Sequence, residues 1–258
     1  MNEIHSTAIV DPKAKLGDNI KIGPYAVVEG NVEINDDTII GPNAVIYNGA
    51  RIGKRVKIFQ GASIANLPQD LKFNNEPSVF IVGDDTTIRE FATLHRGTVE
   101  TGKSEVGKNC LLMAYAHVAH DCTVGNNCII ANSVQIGGHV HIEDWVIIGG
   151  STPVHQFSRV GQHSMIGGGF RIAVDVPPYV LAGSEPLRYA GINVLGLRRR
   201  GFSNDDITTL KDAYSILYNS GLNFSQAKEK IKEKYNDHKL VQNILTFINN
   251  SKRSILTH

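Results

Sequence analysis

The stretch AHVAHDCTVGNNCIIANSVQIGGHVHIEDWVIIGG, residues 116–150, carries Val or Ile at every sixth position from Val118 to Ile148. The same frame begins at Ile4 and ends at Ile172, and Ile, Leu or Val occupies 26 of its 29 positions. A period of six fits neither an amphipathic helix, which repeats every 3.6 residues, nor a half-buried strand, which alternates. It matches the short strands and turns of a parallel β-helix. The sequence therefore predicts a mainly β solenoid.

Three six-residue units are expected to close one triangular coil, so that residues i and i+18 become vertical neighbours about 4.8 Å apart. The position two residues before each aliphatic residue is mostly small or β-branched, and we expect both classes to point inward. Gly often follows the aliphatic residue, where a corner needs either a positive φ or room for a close neighbour. The small inward class includes Ala8, Ala14, Ala26, Val32, Thr38, Ala44, Ala50, Val56 and Ala62.

The composition is that of an ordinary globular protein, with 258 residues of which 41% are hydrophobic and 20% charged. The net charge of +1 predicts no bulk attraction to nucleic acid. The repeat starts almost at the N-terminus, which leaves no room for a signal peptide, and no apolar run approaches the length of about 18 residues that spans a membrane. We therefore expect a cytoplasmic protein that is not embedded in a membrane.

All three cysteines, Cys110, Cys122 and Cys128, occupy the small inward position of the repeat. An odd number of cysteines in a chain without a signal peptide argues against a disulfide framework. We expect these side chains to be free thiols in the core.

Two interruptions of the six-residue repeat, and a change to helical sequence patterns near the C-terminus, divide the chain. Residues 65–80, ANLPQDLKFNNEPSVF, contain two prolines and are predicted to project as a loop, and a smaller irregularity covers residues 98–105. Solenoid insertions often gather on a binding face. The β-helix is assigned to residues 1–190.

A C-terminal α-helical domain is predicted over residues 191–258. Ser203 and Asp206 have the spacing of a capping box in front of a helix over 207–218, and two further helices are predicted over 224–234 and 239–249. Such a tail would cap the open end of the solenoid or cover its flank.

Seven of the ten histidines lie between residues 95 and 163. The 18-residue register places His120 below Gly138 in one column and Asp121 below His139 in the next. An imidazole near pKa 6.5 is suited to removing a proton from a hydroxyl, and a carboxylate can fix its tautomer, although adjacent residues often point apart. The N–H of Gly138 would be able to donate to an oxyanion. These residues predict acyl transfer.

Other interpretations of the same histidines remain open. His117, His120 and His139 would supply three nitrogens to zinc, as in the trimeric hexapeptide-repeat carbonic anhydrases. Outward histidines on a solenoid are also tolerated as plain surface residues. A non-catalytic solenoid such as an ice-binding protein is disfavoured, because it needs regular outward columns of threonine.

Seven segments together resemble the UDP-N-acetylglucosamine O-acyltransferases that begin lipid A biosynthesis. The resemblance implies a left-handed parallel β-helix and a homotrimer with active sites in the clefts between subunits. The segments are NLPQDLKF (66–73), IREFATLHRGT (88–98), AHVAHDCTVGNNC (116–128), IGGHVHIEDWVIIGG (136–150), VHQFSRVGQH (154–163), DVPPYV (175–180) and GINVLGLRRRGFS (191–203).

The resemblance also implies the catalytic roles. His120 would deprotonate the glucosamine 3-hydroxyl, Asp121 would orient His120, and the Gly138 N–H would stabilise the tetrahedral oxyanion. The acyl donor would be a (3R)-3-hydroxyacyl thioester of acyl carrier protein. Because the thioester is already activated, no metal and no cofactor is expected.

The substrate-binding residues are likewise implied by the resemblance. The sugar nucleotide or acyl chain would contact His117, His139, His155 and Gln156. The 65–80 loop would contribute Gln69, Asp70 and Lys72, and the uridine diphosphate would be held by Asn193, Arg199 and Arg200. Gly168 would form the floor of the acyl groove, where a small residue admits a long chain.

The chain departs from the family pattern at Leu195, where an acidic residue often touches the nucleotide. The family includes members that prefer a 3-amino sugar. The related N-acyltransferase of the same pathway carries an extra domain before its repeats, whereas here the repeat begins at Ile4.

Overall fold

The computed structural model describes residues 1–258, and its strands form three sheets that run along a triangular solenoid. Up to Ile166, strands three apart in sequence pair in parallel, so that His117 pairs with Gln135 and Thr123 with His141. These partners are 18 residues apart, which confirms the predicted parallel β-helix.

Most strands are only two residues long, and they divide into three sheets. The first sheet contains Glu3–Ile4, Lys21–Ile22, Ile39–Ile40, Lys57–Ile58, Thr87–Ile88, Leu111–Leu112, Ile129–Ile130, Ile147–Ile148, Met165–Ile166, Val180–Gly183 and Arg188–Ile192. The second contains Ile9–Val10, Val27–Val28, Val45–Ile46, Ser63–Asn66, Thr93–His95, His117–Val118, Gln135–Ile136 and Pro153–Val154. The third contains Lys15–Leu16, Glu33–Ile34, Ala50–Ile52, Val79–Val82, Lys103–Val106, Thr123–Val124, His141–Ile142 and Arg159–Val160.

The core is the inward aliphatic column of each sheet. Ile130, Ile136, Ile142 and Ile148 are completely buried, and burying each such side chain contributes about 1.5–3 kcal/mol. The three cysteines are free and buried, as predicted. Beyond the first coil, whose Ile4 is 45% exposed, the solenoid is therefore stabilised by the six-residue repeat itself.

The corner glycines are required by crowding. A Cβ on Gly53 would lie 2.6 Å from Asp84 Oδ1 of the next coil, and one on Gly17 would lie 2.5 Å from Asp36 Oδ1. Positive φ falls two residues later, as at Arg55 with φ 55°. Of the two reasons expected for these glycines, close approach of the next coil is the one that applies.

The first interruption lengthens one coil. Ile64 pairs with Leu94 rather than with a residue 18 positions away, which leaves 12 extra residues. Strands reach Asn66 and resume at Val79, so the segment without strands is 67–78. His95 Nδ1–H donates to the Leu67 carbonyl at 2.5 Å and ties the start of this loop to the second sheet.

The C-terminal region contains a hairpin and four helices. Val180–Gly183 and Arg188–Ile192 pair antiparallel, and the helices are α1 (Val194–Arg199), α2 (Asn204–Asn219), α3 (Phe224–Lys234) and α4 (Lys239–Asn249). No helix of the chain has the length and apolar character needed to cross a membrane.

The helix predictions are confirmed for α2, α3 and α4, whereas the hairpin and the short helix α1 were not expected. The Ser203–Asp206 capping box is present, and α2 starts at Asn204 because Ser203 is its N-cap. Tyr214 of α2 is fully buried and its hydroxyl donates to the Pro178 carbonyl, which fastens the helices to the last coil.

Candidate active site

His120 lies at the corner that follows the His117–Val118 strand, and its side chain is 14% exposed. Its Nδ1 is 2.7 Å from Asp121 Oδ2. Neighbouring side chains in extended chain point to opposite faces, but Asp121 has φ 58°, and this left-handed conformation brings its carboxylate beside His120. With Nδ1–H donating to the carboxylate, the lone pair of Nε2 is available to accept a proton.

The Asp121 carboxylate is completely buried and receives several hydrogen bonds. The Thr98 N–H donates at 3.0 Å and the Thr98 hydroxyl at 2.8 Å, and the Thr101 hydroxyl also donates. Burial alone would raise the pKa of Asp121, but hydrogen bonds from Thr101, His120 and Thr98 outweigh it and hold the pKa below its ordinary value. The carboxylate is therefore anionic at neutral pH.

Gly138 lies one coil above His120. A Cβ on Gly138 would be 2.8 Å from His120 Nε2, so only glycine leaves room for the imidazole in this position. The Gly138 carbonyl accepts a hydrogen bond from Phe157, whereas its N–H has no acceptor within the chain. A backbone donor beside the base is the arrangement that stabilises an oxyanion.

A second imidazole flanks the same carboxylate. His139 Nε2 is 3.9 Å from Asp121 Oδ2 and 3.5 Å from Glu100 Oε2, and its ring stacks on Phe157 with centroids 4.5 Å apart. The His120 and His139 rings meet edge to face at 5.1 Å.

The residues that could hold a metal are His120, Asp121 and His139, whose ligand atoms lie within 4.8 Å of one another. This differs from the three-histidine set considered from the sequence. His117 belongs to the strand rather than to the corner, and its Nδ1 lies 2.8 Å from Thr93 Oγ1.

His117 is held neutral. Burial, reinforced by the nearby His95 and His120, lowers the pKa of His117 to about 4. Its ring lies 5.0 Å from that of His95, which is itself buried and bonded to the loop. His117 can therefore offer hydrogen bonds beside the base without adding a charge.

Further predicted site residues lie in the loop and in the coil above Gly138. In the loop, Gln69 and Lys72 are exposed, and the Lys72 N–H donates to Asp70 Oδ1 at 2.9 Å. His155 and Gln156 are exposed one coil above Gly138, where His155 Nδ1–H donates to the Gln156 carbonyl at 2.9 Å.

The residues predicted for the nucleotide gather at helix α1. Asn193 is its N-cap, accepting from the Gly196 N–H at 3.1 Å and donating to the His163 carbonyl at 2.9 Å. Arg199 is exposed, and the Arg200 guanidinium lies 5.1 Å from the centre of the Trp145 ring.

Two further positions lie apart from the His120 corner. Leu195, where the family pattern is broken, is 61% exposed. Gly168 belongs to a different corner, stacked on Gly150, whose carbonyl would be 3.0 Å from an added Cβ.

Sequence reasoning missed Thr98 and Thr101, which bind the Asp121 carboxylate. They belong to the irregular segment, where the six-residue period assigns no position. A signal was available, since Thr93 pairs with His117 and the segment after that strand must therefore pass below Asp121.

Comparisons with known proteins agree with this architecture. A family model described as bacterial transferase hexapeptide (six repeats) matches residues 13–48 and 103–138, and one described as UDP N-acetylglucosamine O-acyltransferase, domain 2, matches residues 175–256. A left-handed parallel β-helix of hexapeptide repeats with a helical C-terminal region and a histidine–carboxylate corner defines a hexapeptide-repeat acyltransferase.

The chain is 47% identical over 261 residues to the acyl-[acyl-carrier-protein]–UDP-N-acetylglucosamine O-acyltransferase of Burkholderia lata, covering 99% of this chain and 100% of the relative. It is 48% identical over 257 residues to the enzyme of the same name from Aliarcobacter butzleri, covering 99% and 98%. The solved UDP-N-acetylglucosamine acyltransferase of Bacteroides fragilis superposes with a TM-score of 0.96 at 46% identity, covering 98% and 99%. The chain belongs to the acyl-[acyl-carrier-protein]–UDP-N-acetylglucosamine O-acyltransferase family, which confirms the resemblance seen in its motifs.

Proposed function

We propose that the protein transfers a (3R)-3-hydroxyacyl group from acyl carrier protein to the 3-hydroxyl of UDP-N-acetylglucosamine, the first step of lipid A biosynthesis. The observation that carries the proposal is the His120–Asp121 pair beside the free N–H of Gly138. A base, its orienting anion and an oxyanion donor are the groups that acyl transfer to a hydroxyl requires. Family membership supplies the substrate class, since the relatives named above are acyl-[acyl-carrier-protein]–UDP-N-acetylglucosamine O-acyltransferases.

The geometry supports a direct transfer. His120 Nε2 takes the proton of the sugar 3-hydroxyl while the hydroxyl oxygen bonds to the carbonyl carbon of the thioester. The carbonyl becomes a tetrahedral oxyanion that accepts from the Gly138 N–H, and the buried Asp121 anion stabilises the imidazolium. The C–S bond then breaks, and His120 returns the proton to the thiolate of the carrier. The route needs no metal and no cofactor, because the thioester is already activated.

We assign the substrate contacts on the same basis. His117, His139, His155 and Gln156 would line the sugar and acyl site. Gln69, Asp70 and Lys72 of the loop would reach the acyl hydroxyl, and Arg199 and Arg200 would hold the diphosphate. Asn193 would act there by fixing the start of α1. Gly168 would form the floor of a groove that accepts a long acyl chain.

A homotrimer in the cytoplasm, with sites shared between subunits, is part of the proposal. Exposed aromatic residues lie along the corner between the first and second sheets. Phe91 stacks on Tyr115, which is 58% exposed, with ring centroids 5.4 Å apart, and Tyr25 is 64% exposed nearer the N-terminus. Exposed apolar patches of this kind mark protein interfaces. Because Gly168 lies at a different corner and α1 contacts His163 and Trp145, a neighbouring subunit would bring these groups to each site. Light scattering should give three times the chain mass, and a stable monomer would contradict the shared site.

The test of function is direct. The purified protein would be incubated with UDP-N-acetylglucosamine and a panel of 3-hydroxyacyl carrier proteins, and the products read by mass spectrometry. An O-acylated sugar nucleotide is expected, with a long-chain donor preferred. Product formed only from a 3-amino sugar would indicate amide formation instead. No product, together with tightly bound zinc, would favour a metal-dependent hydratase built on His120, Asp121 and His139.

A further inference from the structure

The second interruption of the solenoid is an extra six-residue unit. Val79 pairs with Lys103, 24 residues away rather than 18. The added residues close a tight turn in which the Gly102 N–H donates to the Thr98 carbonyl at 2.8 Å. Gly102 has φ 69°, and a Cβ on Gly97 would overlap the Lys103 backbone, so both glycines are needed for this path.

The two threonines of the turn both bind the Asp121 carboxylate. Oδ1 accepts from the Thr98 N–H and the Thr101 hydroxyl, and Oδ2 accepts from the Thr98 hydroxyl and from His120 Nδ1–H. The Thr101 hydroxyl also lies 2.7 Å from the Lys103 carbonyl, but its single proton goes to the charged acceptor, which binds it more strongly. Three of the four donors to this carboxylate therefore come from the inserted turn.

Two imidazoles lie near the Asp121 carboxylate, those of His120 and His139. Oδ2 lies 2.7 Å from His120 and 3.9 Å from His139, and rotation of the Asp121 side chain would change which ring it orients. A fixed carboxylate is what keeps the proton on Nδ1 of His120 and leaves Nε2 free as the base.

We propose that Thr98 and Thr101 are positioning residues for acyl transfer, which hold the Asp121 carboxylate against His120 rather than His139. This inference rests on the proposed function and adds to it the purpose of the inserted turn. Thr101 is the better probe, because only its hydroxyl is used, whereas Thr98 also binds through its backbone.

We call the hydrogen bonds from Thr98 and Thr101 to Asp121 the threonine clamp. Without the Thr101 hydroxyl, Oδ1 keeps only the Thr98 N–H, and the carboxylate can turn from His120 toward His139. Fewer molecules then carry the His120 proton on Nδ1, so kcat falls while binding of the sugar nucleotide is retained. A change that only disturbed the fold would alter the KM for the sugar nucleotide as well.

The experiment compares Thr101→Val with Thr101→Ser and with Thr87→Val, whose hydroxyl makes no side-chain hydrogen bond in this chain. We expect Thr101→Val to lower kcat roughly tenfold to a hundredfold, as for a lost bond to a charged group, with an unchanged KM for the sugar nucleotide. Thr101→Ser should restore kcat, and Thr87→Val should match the unmutated protein. An unchanged kcat for Thr101→Val, or a fall in kcat that Thr101→Ser shares, would overturn the clamp.

A readout that does not depend on turnover separates the clamp from the reaction. ¹⁵N NMR of labelled histidines, with His120 assigned by its loss in His120→Ala, should show protonated Nδ1 in the unmutated protein and a tautomer mixture in Thr101→Val. Identical tautomers would overturn the clamp whatever the activity. If the unmutated protein acylates no sugar nucleotide, the proposed function fails while the tautomer result still stands.

Discussion

Two corners flank the third sheet, and the chain closes them differently. At the corner after the third sheet, the side chain of one coil binds the backbone N–H of the coil below: Asp144 Oδ1 accepts from Asn126 at 2.7 Å, and Asn126 Oδ1 accepts from Lys108 at 2.9 Å. At the corner before that sheet, the equivalent positions are His120 and Gly138. Glycine has no side chain with which to bind the coil below, and the imidazole occupies the space instead.

The difference shows how a repetitive scaffold acquires a reactive site. Both corners have the same register, and both have a residue in the left-handed conformation at the same position. It is Asn127 with φ 57° at one corner and Asp121 with φ 58° at the other. Giving up a capping bond costs about 0.5–1.5 kcal/mol. In return the corner gains a base with open space beside it and a free backbone donor. The remaining coils of the solenoid can absorb that local loss.

The same substitution at the two corners should have opposite consequences. Asp121→Asn removes the anion that orients His120 and should lower kcat by roughly 10²–10⁴-fold. Asp144→Asn keeps an oxygen for the Asn126 N–H and should leave kcat unchanged. Steady-state kinetics on both variants gives the two values of kcat. Equal values would mean that the two corners do not differ in their role in catalysis.

Adding one methyl group at the reactive corner should also be costly. In Gly138→Ala the Cβ would lie 2.7 Å from His120 Cε1, so the ring must move from its place beside the donor. We expect kcat to fall roughly tenfold or more, because a displaced base loses alignment. The unfolding midpoint in urea serves as the control, and a rate equal to that of the unmutated protein would show that the imidazole has room to spare.

Removing a cap at the other corner should change stability alone. Asp144→Ala leaves the Asn126 N–H without its acceptor and should lower the free energy of unfolding by about 1 kcal/mol. Urea unfolding should show this loss, with Asp144→Asn recovering it. A large fall in kcat for Asp144→Ala would mean that the two corners are coupled.

The smallest expected effect is on the pH dependence of stability. Burial lowers the pKa of His117 near the reactive corner to about 4, and burial with the nearby Arg200 lowers the pKa of His163 near the capped corner to about 4. The unfolded chain binds protons at these histidines near pH 6.5, so stability present above that pH is lost as pH falls toward about 4. In His163→Gln, the free energy of unfolding measured with urea should fall less steeply between about pH 7 and 5. An unchanged slope against pH would mean that groups other than His163 cause the decline.

The period alone predicted the coils, the inward columns and the vertical neighbours of His120, because in a solenoid each residue contacts the one a fixed number of positions away. The orientation of Asp121 could not be predicted in this way, since it depends on the left-handed φ of a single residue. The contacts of Thr98 and Thr101 could not be predicted for a related reason, because the residues of an insertion do not follow the six-residue period. Helix α1 has only six residues, one of them Gly196, and depends on the Asn193 cap and its contact with the last coil.

We infer that the corner at His120 performs the chemistry while the rest of the solenoid holds it in place. The turnover of UDP-N-acetylglucosamine and a 3-hydroxyacyl carrier protein by His120→Ala should be measured beside that of the unmutated protein, with light scattering to check for an unchanged assembly. We expect the assembly to persist and turnover to fall by at least roughly 10²-fold. Turnover close to that of the unmutated protein would show that another residue is the base.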